Sequence, residues 1–530
     1  MANEDIINGT VQYSQPPSAL AVVENQKRFQ WVNNNEFYSM IPTAYFTFYQ
    51  NWVRLWLQWA DGYVPYIHGG QYGLLSTGIG GSLINFAADK VVGSGVLWKN
   101  SRKPKEYATN ADGRQIGKAL DFISNKWADL ADLQVKYRRA IKYAYAGGFS
   151  LLKLNCANGE LWCDALRADK FFVDMTSDGK ITRATCVLAF FNNMLPNNQG
   201  KKYGLVEERY YEKLGIFGDE IPVVRYNIYD SSVPIQYMTM PRGNYVPWEQ
   251  LPKDVRKAFK EEYGGMRLNE PQALNGFSDL GVYLFKGSDE ISNVPQANLG
   301  ESLLAPILTY LYEYDHANTA FNTEIYLGRG RVIVPKYMQN GDGRGDSKPH
   351  GLDAFMFTSA PTANPDGQKP EPIQFNVRAQ EWRDVRNTLL EYIASGLRVS
   401  ATSIATYLQG GAQRTAREVS AEEDATTLFV ENARKRFEKP MNAMLKQVLR
   451  FYGYIDDVEV KWTRAGMTNQ TVLVETLSKA VGAGLISREK AHAQFNFDDD
   501  EEQQLEDFKK VEADQAQRNN ATFGVDGDMF

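Results

Sequence analysis

Few side chains in this 530-residue chain stand at a spacing that chemistry requires. Gly78, Gly80 and Gly81 precede the run SLINFAADKVVG, where a phosphate-cradling loop would offer backbone N–H groups. The Gly-Lys-Ser/Thr ending of such a loop is absent and no clear strand precedes it, so nucleotide binding is not expected. Cys156, Cys163 and Cys186 form neither a disulfide framework nor a metal spacing. Cys156 and Cys163 flank the turn Asn158-Gly159, which a packed hairpin explains. His68, His316, His350 and His492 are far apart. Asp342 and Asp346 lack the other ligands of a calcium loop. The tripeptide Arg344-Gly345-Asp346 reads as a chance match to an integrin motif in a Gly-rich loop. Asp498, Asp499, Asp500, Glu501, Glu502, Glu506, Asp507, Glu512 and Asp514 read as a solvated helix start or tail rather than a metal site. No Ser-His-Asp arrangement and no acid/base pair assembles. The expectation is therefore a protein with no catalytic residue, no metal and no cofactor.

Composition narrows the class. The net charge of -6 advertises no basic domain for gripping nucleic acid, although it leaves room for a protein past which DNA slides. Three cysteines fit a reducing compartment. No charged, apolar, small-residue leader pattern opens the sequence. The most apolar run, Tyr45 to Ala60, contains Gln50, Asn51, Arg54 and Gln58, so it is not a membrane span.

The elements are legible by period. Residues 1–35 are polar and read as a loose arm. Trp52, Trp56 and Trp59 share one helix face, expected to be core or subunit contact. A helix is expected over Ser82 to Val92, and another over 115–146 with Trp127, Leu130, Val135 and Ile141 on its apolar side. From Phe149 to Tyr237 the period becomes two, giving strands over SLLKLNC, ELWCDAL, KFFVDM, ITRATCVLAFF, LVEERYYE and VVRYNIYD. Pro252 to Tyr263 reads as a charged helix and Val282 to Lys286 as a strand. Glu301 to Tyr326 reads as a long helix with Leu304, Leu308, Leu311, Phe321 and Ile325 on its face, followed by the strand Arg331 to Pro335. Met338 to Pro372 is rich in Gly, Asp, Pro and Asn.

The chain is organised around Glu381 to Tyr452. Trp382, Val385, Leu389, Tyr392 or Ile393, and Leu397 form one apolar helix face. Ser400 to Thr415 is small and polar around Gly410-Gly411 and reads as a loop. Val430, Ala433, Phe437, Met441, Met444 and Val448 then mark a long helix, capped by Thr415 with Glu418 as a capping box. Its acids come first and its bases last, as the helix dipole favours, and Pro440 is expected to kink it.

The string Arg414, Thr415, Ala416, Arg417, Glu418, Val419, between a polar loop and a long helix, resembles the tunnel-loop region of tailed-bacteriophage portal proteins. A second match is Gly484, Ile486, Ser487, Arg488, Glu489, Ala491, which resembles the family's strand-to-crown passage. The helix before Gly93 is similar to an early portal helix with the pattern N-x-x-A-D-x-V-x-G. The resemblance covers about residues 80–515 and lies more in element order than in identity.

What it implies is a helix-dominated α+β fold: an elongated subunit with wing, stem helices, small α/β clip, tunnel loop and helical crown. The corresponding parts are an arm over 1–35, a wing over 36–300 with a β-rich 149–237, and a stem helix over 301–327. A clip follows over 328–377, a second stem helix over 378–398, the tunnel loop over 399–415 and a long kinked helix and strand over 416–466. The crown spans 467–495, and 496–530 is an acidic tail with a disordered end.

The implied function is a portal ring of roughly twelve identical subunits at one capsid vertex. Double-stranded DNA would be packaged through it by terminase, later ejected, and the head-to-tail connector would assemble on it. The implied partners are other copies of the chain, DNA without sequence preference, the terminase large subunit, an adaptor or head-completion protein, and capsid and scaffolding proteins, with no membrane. The implied location is the virion's portal vertex, and the host cytoplasm during assembly. Ser400, Thr402, Ser403, Thr406, Tyr407, Leu408, Gln409, Gly410, Gly411, Gln413 and Arg414 would line the channel. Arg398, Arg417, Glu418, Trp382 and Leu389 would make subunit contacts, and Asp342, Arg344, Asp346, Lys348 and His350 a clip surface for partners. The rival readings are another virion structural protein, such as a minor head or scaffold protein, and an enzyme of unrecognised class.

Overall fold

The computed structural model describes residues 40–41, 45, 48–62, 76–93, 95–101, 119–157, 159–176, 178–192, 202–213, 220–231, 245–263, 266–288, 299–327, 331–334, 356–358, 371–373, 377–409, 416–454, 457–462 and 478–481, with isolated positions up to 513. A π-helical turn, Tyr49–Val53, leads into α1 (Arg54–Ala60), then α2 (Ile79–Val92) and β1 (Val96–Asn100). α3 (Ala119–Phe122), a π-helical turn (Ile123–Trp127) and α4 (Ala128–Leu130) precede α5 (Leu133–Gly147). Next come β2 (Phe149–Ala157), β3 (Glu160–Arg167), β4 (Phe171–Met175), β5 (Ile181–Asn192), β6 (Lys202–Lys213) and β7 (Glu220–Asp230). They are followed by α6 (Lys253–Tyr263), β8 (Gln272–Ala273), β9 (Val282–Lys286), α7 (Leu308–Leu327), β10 (Arg331–Val334), β11 (Met356–Thr358) and β12 (Glu371–Ile373). The last are α8 (Ala379–Leu397), α9 (Ala401–Gln409), α10 (Ala416–Phe451) and β13 (Val458–Trp462). The fold is mixed helix and sheet, as the periods required.

The chain divides into two compact units. The larger holds Phe29–Asp61, Gly80–Ala305 and Arg398–Phe530. Its β4–β5–β6–β7–β8 sheet is an antiparallel meander, and a second sheet has the order β3–β2–β9. Phe191, Tyr203, Leu205 and Ile228 of the meander pack against Leu251, Val255 and Phe259, so α6 sits on the sheet by its apolar side. The second sheet begins with the β2–β3 hairpin, which pairs Cys156 with Leu161 and Leu154 with Cys163. Cys163 is buried and burial pushes its thiol up to about 12, so it behaves as a small core residue. Trp56 and Trp59 are buried, confirming the core reading of that helix face. Gly80 and Gly81 serve close packing: a Cβ at Gly80 would lie 2.6 Å from the Trp59 carbonyl, and one at Gly81 2.6 Å from the Ala60 carbonyl.

Three buried charge clusters tie this unit together. Lys153 Nζ and Arg209 Nε donate to the two oxygens of Glu207 at 2.8 and 2.7 Å. Arg209 also reaches the carbonyls of Leu154 (2.7 Å) and Leu280 (3.0 Å). Burial raises the Glu207 pKa, but the two cations outweigh it and hold the carboxyl down at about 2. Arg167 bridges Asp169 and Asp61, each at 2.8 Å. Glu208 accepts from Arg225 at 2.8 Å and from the Tyr229 hydroxyl.

The expected single helix over 115–146 is in fact interrupted. Asp132 takes a left-handed conformation (φ 50°) between α4 and α5, a break that no Gly or Pro announces. Val135 is exposed rather than core, while Trp127 and Ile141 are buried. α10 runs as one helix from Ala416 to Phe451 with Pro440 inside it. The proposed cap Thr415 lies outside the described residues.

The smaller unit holds Gly62–Ile79 and Pro306–Leu397 among its segments. Its helices α7 and α8 pair in antiparallel fashion: Glu324 meets Arg378 (3.1 Å) and the Trp382 indole N–H, Asn318 meets Arg386, and Tyr310 meets Tyr392 with ring centroids 5.6 Å apart. A Cβ on Gly396 would come within 2.5 Å of Ile307, so the glycine permits close approach. The buried face of α8 is Leu390, Ile393, Ala394 and Leu397. Val385, expected on it, is exposed, and of the alternatives Tyr392 and Ile393 it is Ile393 that is buried. The long helix expected from Glu301 starts instead at Leu308, after a 3₁₀ turn over Ala305–Ile307, and Ile325 on its expected face is exposed. β10 pairs parallel with β11 and antiparallel with β12, giving the clip-like segment a three-stranded sheet.

Candidate nucleic-acid interface

The segment Ser400 to Gln409, read as a loop, is largely a helix. Its first residue explains why. Ser400 Oγ accepts the Ser403 N–H at 3.4 Å and its carbonyl accepts the Ile404 N–H at 3.3 Å, which starts α9. Ser400 N–H in turn donates to Thr426 Oγ1 of α10 at 3.1 Å, and the Thr426 hydroxyl donates to Ser403 Oγ at 3.4 Å. Ile404 is fully buried and anchors the helix from below.

The far end of α9 is fastened to α2. The Tyr407 ring meets Phe86 edge-on at 5.3 Å and its hydroxyl donates to Asp89 Oδ2 at 3.3 Å. Arg138 of α5 holds the other oxygen of Asp89 through Nε at 2.8 Å. Burial, and then the Asp89 charge, raise the Tyr407 pKa, so it stays a neutral donor. The side of α9 turned to solvent carries exposed Thr406 beside half-buried Thr402 and Ala405. It bears no charge, although Tyr407 also keeps part of its ring exposed.

The remaining expected site residues separate into three groups. Gly410, Gly411, Gln413, Arg414 and the clip positions Asp342, Arg344, Asp346, Lys348 and His350 lie outside the described residues. Arg417 and Glu418 are in the first turns of α10, and Gln409 ends α9. Arg398 is exposed with φ 58°, a left-handed residue just after α8, whereas Trp382 and Leu389 are half-buried on α8. Leu408 is half-buried on α9. Sequence reasoning missed Thr426, Phe86, Asp89 and Arg138 as the supports of this segment. Asp89 had a signal, as the acid of the N-x-x-A-D pattern, but nothing in that pattern states its partner.

Among the described residues no group of three His, Cys, Asp or Glu is placed to hold a metal. No helix among them is long and apolar enough to cross a membrane.

Residues 208–518 match the family described as "Phage portal protein, SPP1 Gp6-like", a span of more than half of the chain. No curated protein matches. Three similar solved structures are each 12% identical and cover 79% of this chain and 89% of theirs. They are described as "Neck of empty GTA particle computed with C6 symmetry" (TM-score 0.42), "Neck of native GTA particle computed with C12 symmetry" (0.39) and "Virion of native gene transfer agent (GTA) particle" (0.40).

Proposed function

The chain belongs to the phage portal protein family of the SPP1 Gp6-like type, and from that premise we propose that its copies close into a ring of roughly twelve subunits at a capsid vertex. Double-stranded DNA passes through the ring, inward under a terminase motor and outward at ejection, and an adaptor protein docks on the clip.

The family match carries this reading. The chemistry of α9 supports its placement at the channel wall. A sliding duplex needs a wall that excludes it sterically without gripping it, since each phosphate contact adds affinity through counterion release. The solvent side of α9 offers the exposed Thr406 hydroxyl beside half-buried Ala405, and no charged group. Such a surface touches backbone phosphates without holding them and reads no bases. Ser400, Thr426, Tyr407 and Asp89 then act as positioning residues, keeping α9 rigid while DNA moves past. The exposed aromatics Tyr310, Tyr312 and Tyr392 of the α7–α8 pair serve as contacts between neighbouring subunits.

Thr406→Lys tests the placement. It adds a cation per subunit at an exposed helix position without disturbing the core. In a packaging reaction the expected outcome is slowed DNA entry, relieved by salt, with a salt slope for DNA binding steeper by roughly one unit per new phosphate contact. Packaging and salt slope both equal to wild type would remove α9 from the channel.

A further inference from the structure

Among the described residues the sheet β3–β2–β9 ends on β9, with no strand beside its outer edge. Leu154 N–H bonds to the Gly281 carbonyl (2.8 Å) and Gly287 N–H to the Gly148 carbonyl (2.7 Å), so the odd-numbered residues of β9 face β2. Val282 and Leu284 therefore turn their main-chain groups outward. No hydrogen bond reaches those groups among the described residues. An open edge accepts a further strand unless it is covered.

A groove of about 560 Å³ runs along this edge, between β9, the turn before β5, and α10. Ile181, Val282 and Leu284 give it apolar lining, and Lys180, Lys286, Lys435, Arg436 and Lys439 give it cations. Its two carboxylates are engaged locally. Asp178 accepts from the Thr176 hydroxyl. Asp279 accepts from Gly281 N–H (2.8 Å) and the Tyr283 hydroxyl (3.2 Å). Lys435 and Lys439 are exposed, lie one turn apart on α10, and meet no carboxylate among the described residues.

Cations around an open strand edge select an extended acidic segment, through main-chain bonds and charge together. This chain contains a run of five consecutive carboxylates, Asp498 to Glu502, directly after Phe497. It is tethered within the same unit. β13 ends at Trp462, and the Val460 N–H is held at 2.8 Å by Asn442 of α10, beside groove residue Ala443. A connection within one unit makes the encounter intramolecular, which raises the effective concentration of the acidic run at the groove. We propose that the acidic run docks in cis along β9, pairing its carboxylates with Lys435, Lys439 and their neighbours, seating Phe497 on the apolar lining and covering the strand edge. The docking is independent of ring closure.

The test uses the full chain. Asp498→Asn, Asp499→Asn, Asp500→Asn, Glu501→Gln and Glu502→Gln together empty the groove while keeping length and shape. The probe is a fluorescein-labelled peptide with the sequence of residues 496–506, read by anisotropy at low salt. The expected result is at least tenfold tighter peptide binding by this variant than by wild type. Adding Lys435→Glu and Lys439→Glu to the variant abolishes that binding, with unchanged circular dichroism. A variant that does not bind the peptide overturns the proposal, as does a wild type that binds it equally well. Neither outcome bears on the portal reading, because the readout does not require a ring.

Discussion

Glu207→Gln is expected to loosen the larger unit severely. The carboxylate is 3% exposed and carries two buried cations, Lys153 at 2.8 Å and Arg209 at 2.7 Å. Its pKa is held down from 4.5 to about 2, a difference worth about 3 kcal/mol at 1.36 kcal/mol per unit. The sign follows from linkage. A depressed folded-state pKa gives stability that is fully present above 4.5 and is lost as pH falls toward 2. Glutamine mimics the protonated form at every pH, so it removes that stabilisation at neutral pH. The same size, about 3–5 kcal/mol, is typical when a buried ion pair loses one member. Lys153→Met is expected to cost less, because Glu207 keeps Arg209 and the lost cation leaves no orphaned charge. Amide hydrogen exchange along β6 reads the effect locally. Glu207→Gln is expected to speed exchange of its slowest amides roughly a hundredfold at pH 7.5, and Lys153→Met roughly tenfold or less. Equal effects of the two variants, or no change with Glu207→Gln, would refute the reasoning.

Asp315 titrates in the opposite sense: burial pushes it up to about 6 although Thr77 donates its N–H (3.0 Å) and hydroxyl (2.6 Å). A raised acid pKa loses stability as pH rises from 3.8 through 6, so Asp315→Asn is expected to raise the melting temperature at pH 7.5 and change it far less at pH 5. Thr426→Val removes the acceptor of the buried Ser400 N–H and is expected to cost about 1–3 kcal/mol, read as faster amide exchange across α9. Tyr407→Ala is expected to couple with Phe86→Ala by about 0.5–1.5 kcal/mol in a double-mutant cycle of thermal melts. Gly80→Ala forces a Cβ to 2.6 Å from the Trp59 carbonyl and is expected to lower the melting temperature by an overpacking penalty of about 1–3 kcal/mol.

Local patterns were readable and tertiary decisions were not. The strands from Phe149 to Asp230 were legible because alternation of apolar and polar residues is a local consequence of the pleat. α8 and α10 were legible from their three- and four-residue steps, with starts and ends within a residue or two. α9 was not, because its apolar positions Ile404, Tyr407 and Leu408 span little more than one turn among Ser, Thr and Ala beside Gly410-Gly411, and what holds them is Thr426 and Phe86, distant in sequence. The break at Asp132 was hidden because a non-glycine residue takes the left-handed conformation there. Val385 and Tyr392 fit the period of α8 yet stay exposed, Tyr392 even while its ring meets Tyr310 of α7, and period alone does not say how deeply a stripe is covered. The portal strings themselves were visible, whereas the supports of the candidate interface, Asp89 and Arg138, required the fold.

The central claim is that this chain closes a ring around a DNA-sized hole. Negative-stain class averages of the purified protein, viewed down the particle axis, test it most directly. The expected result is rings of roughly twelve subunits around a hole that admits a duplex, whose width is about 20 Å. Monomers or compact dimers at every concentration, including with capsid and scaffolding proteins present, would contradict it.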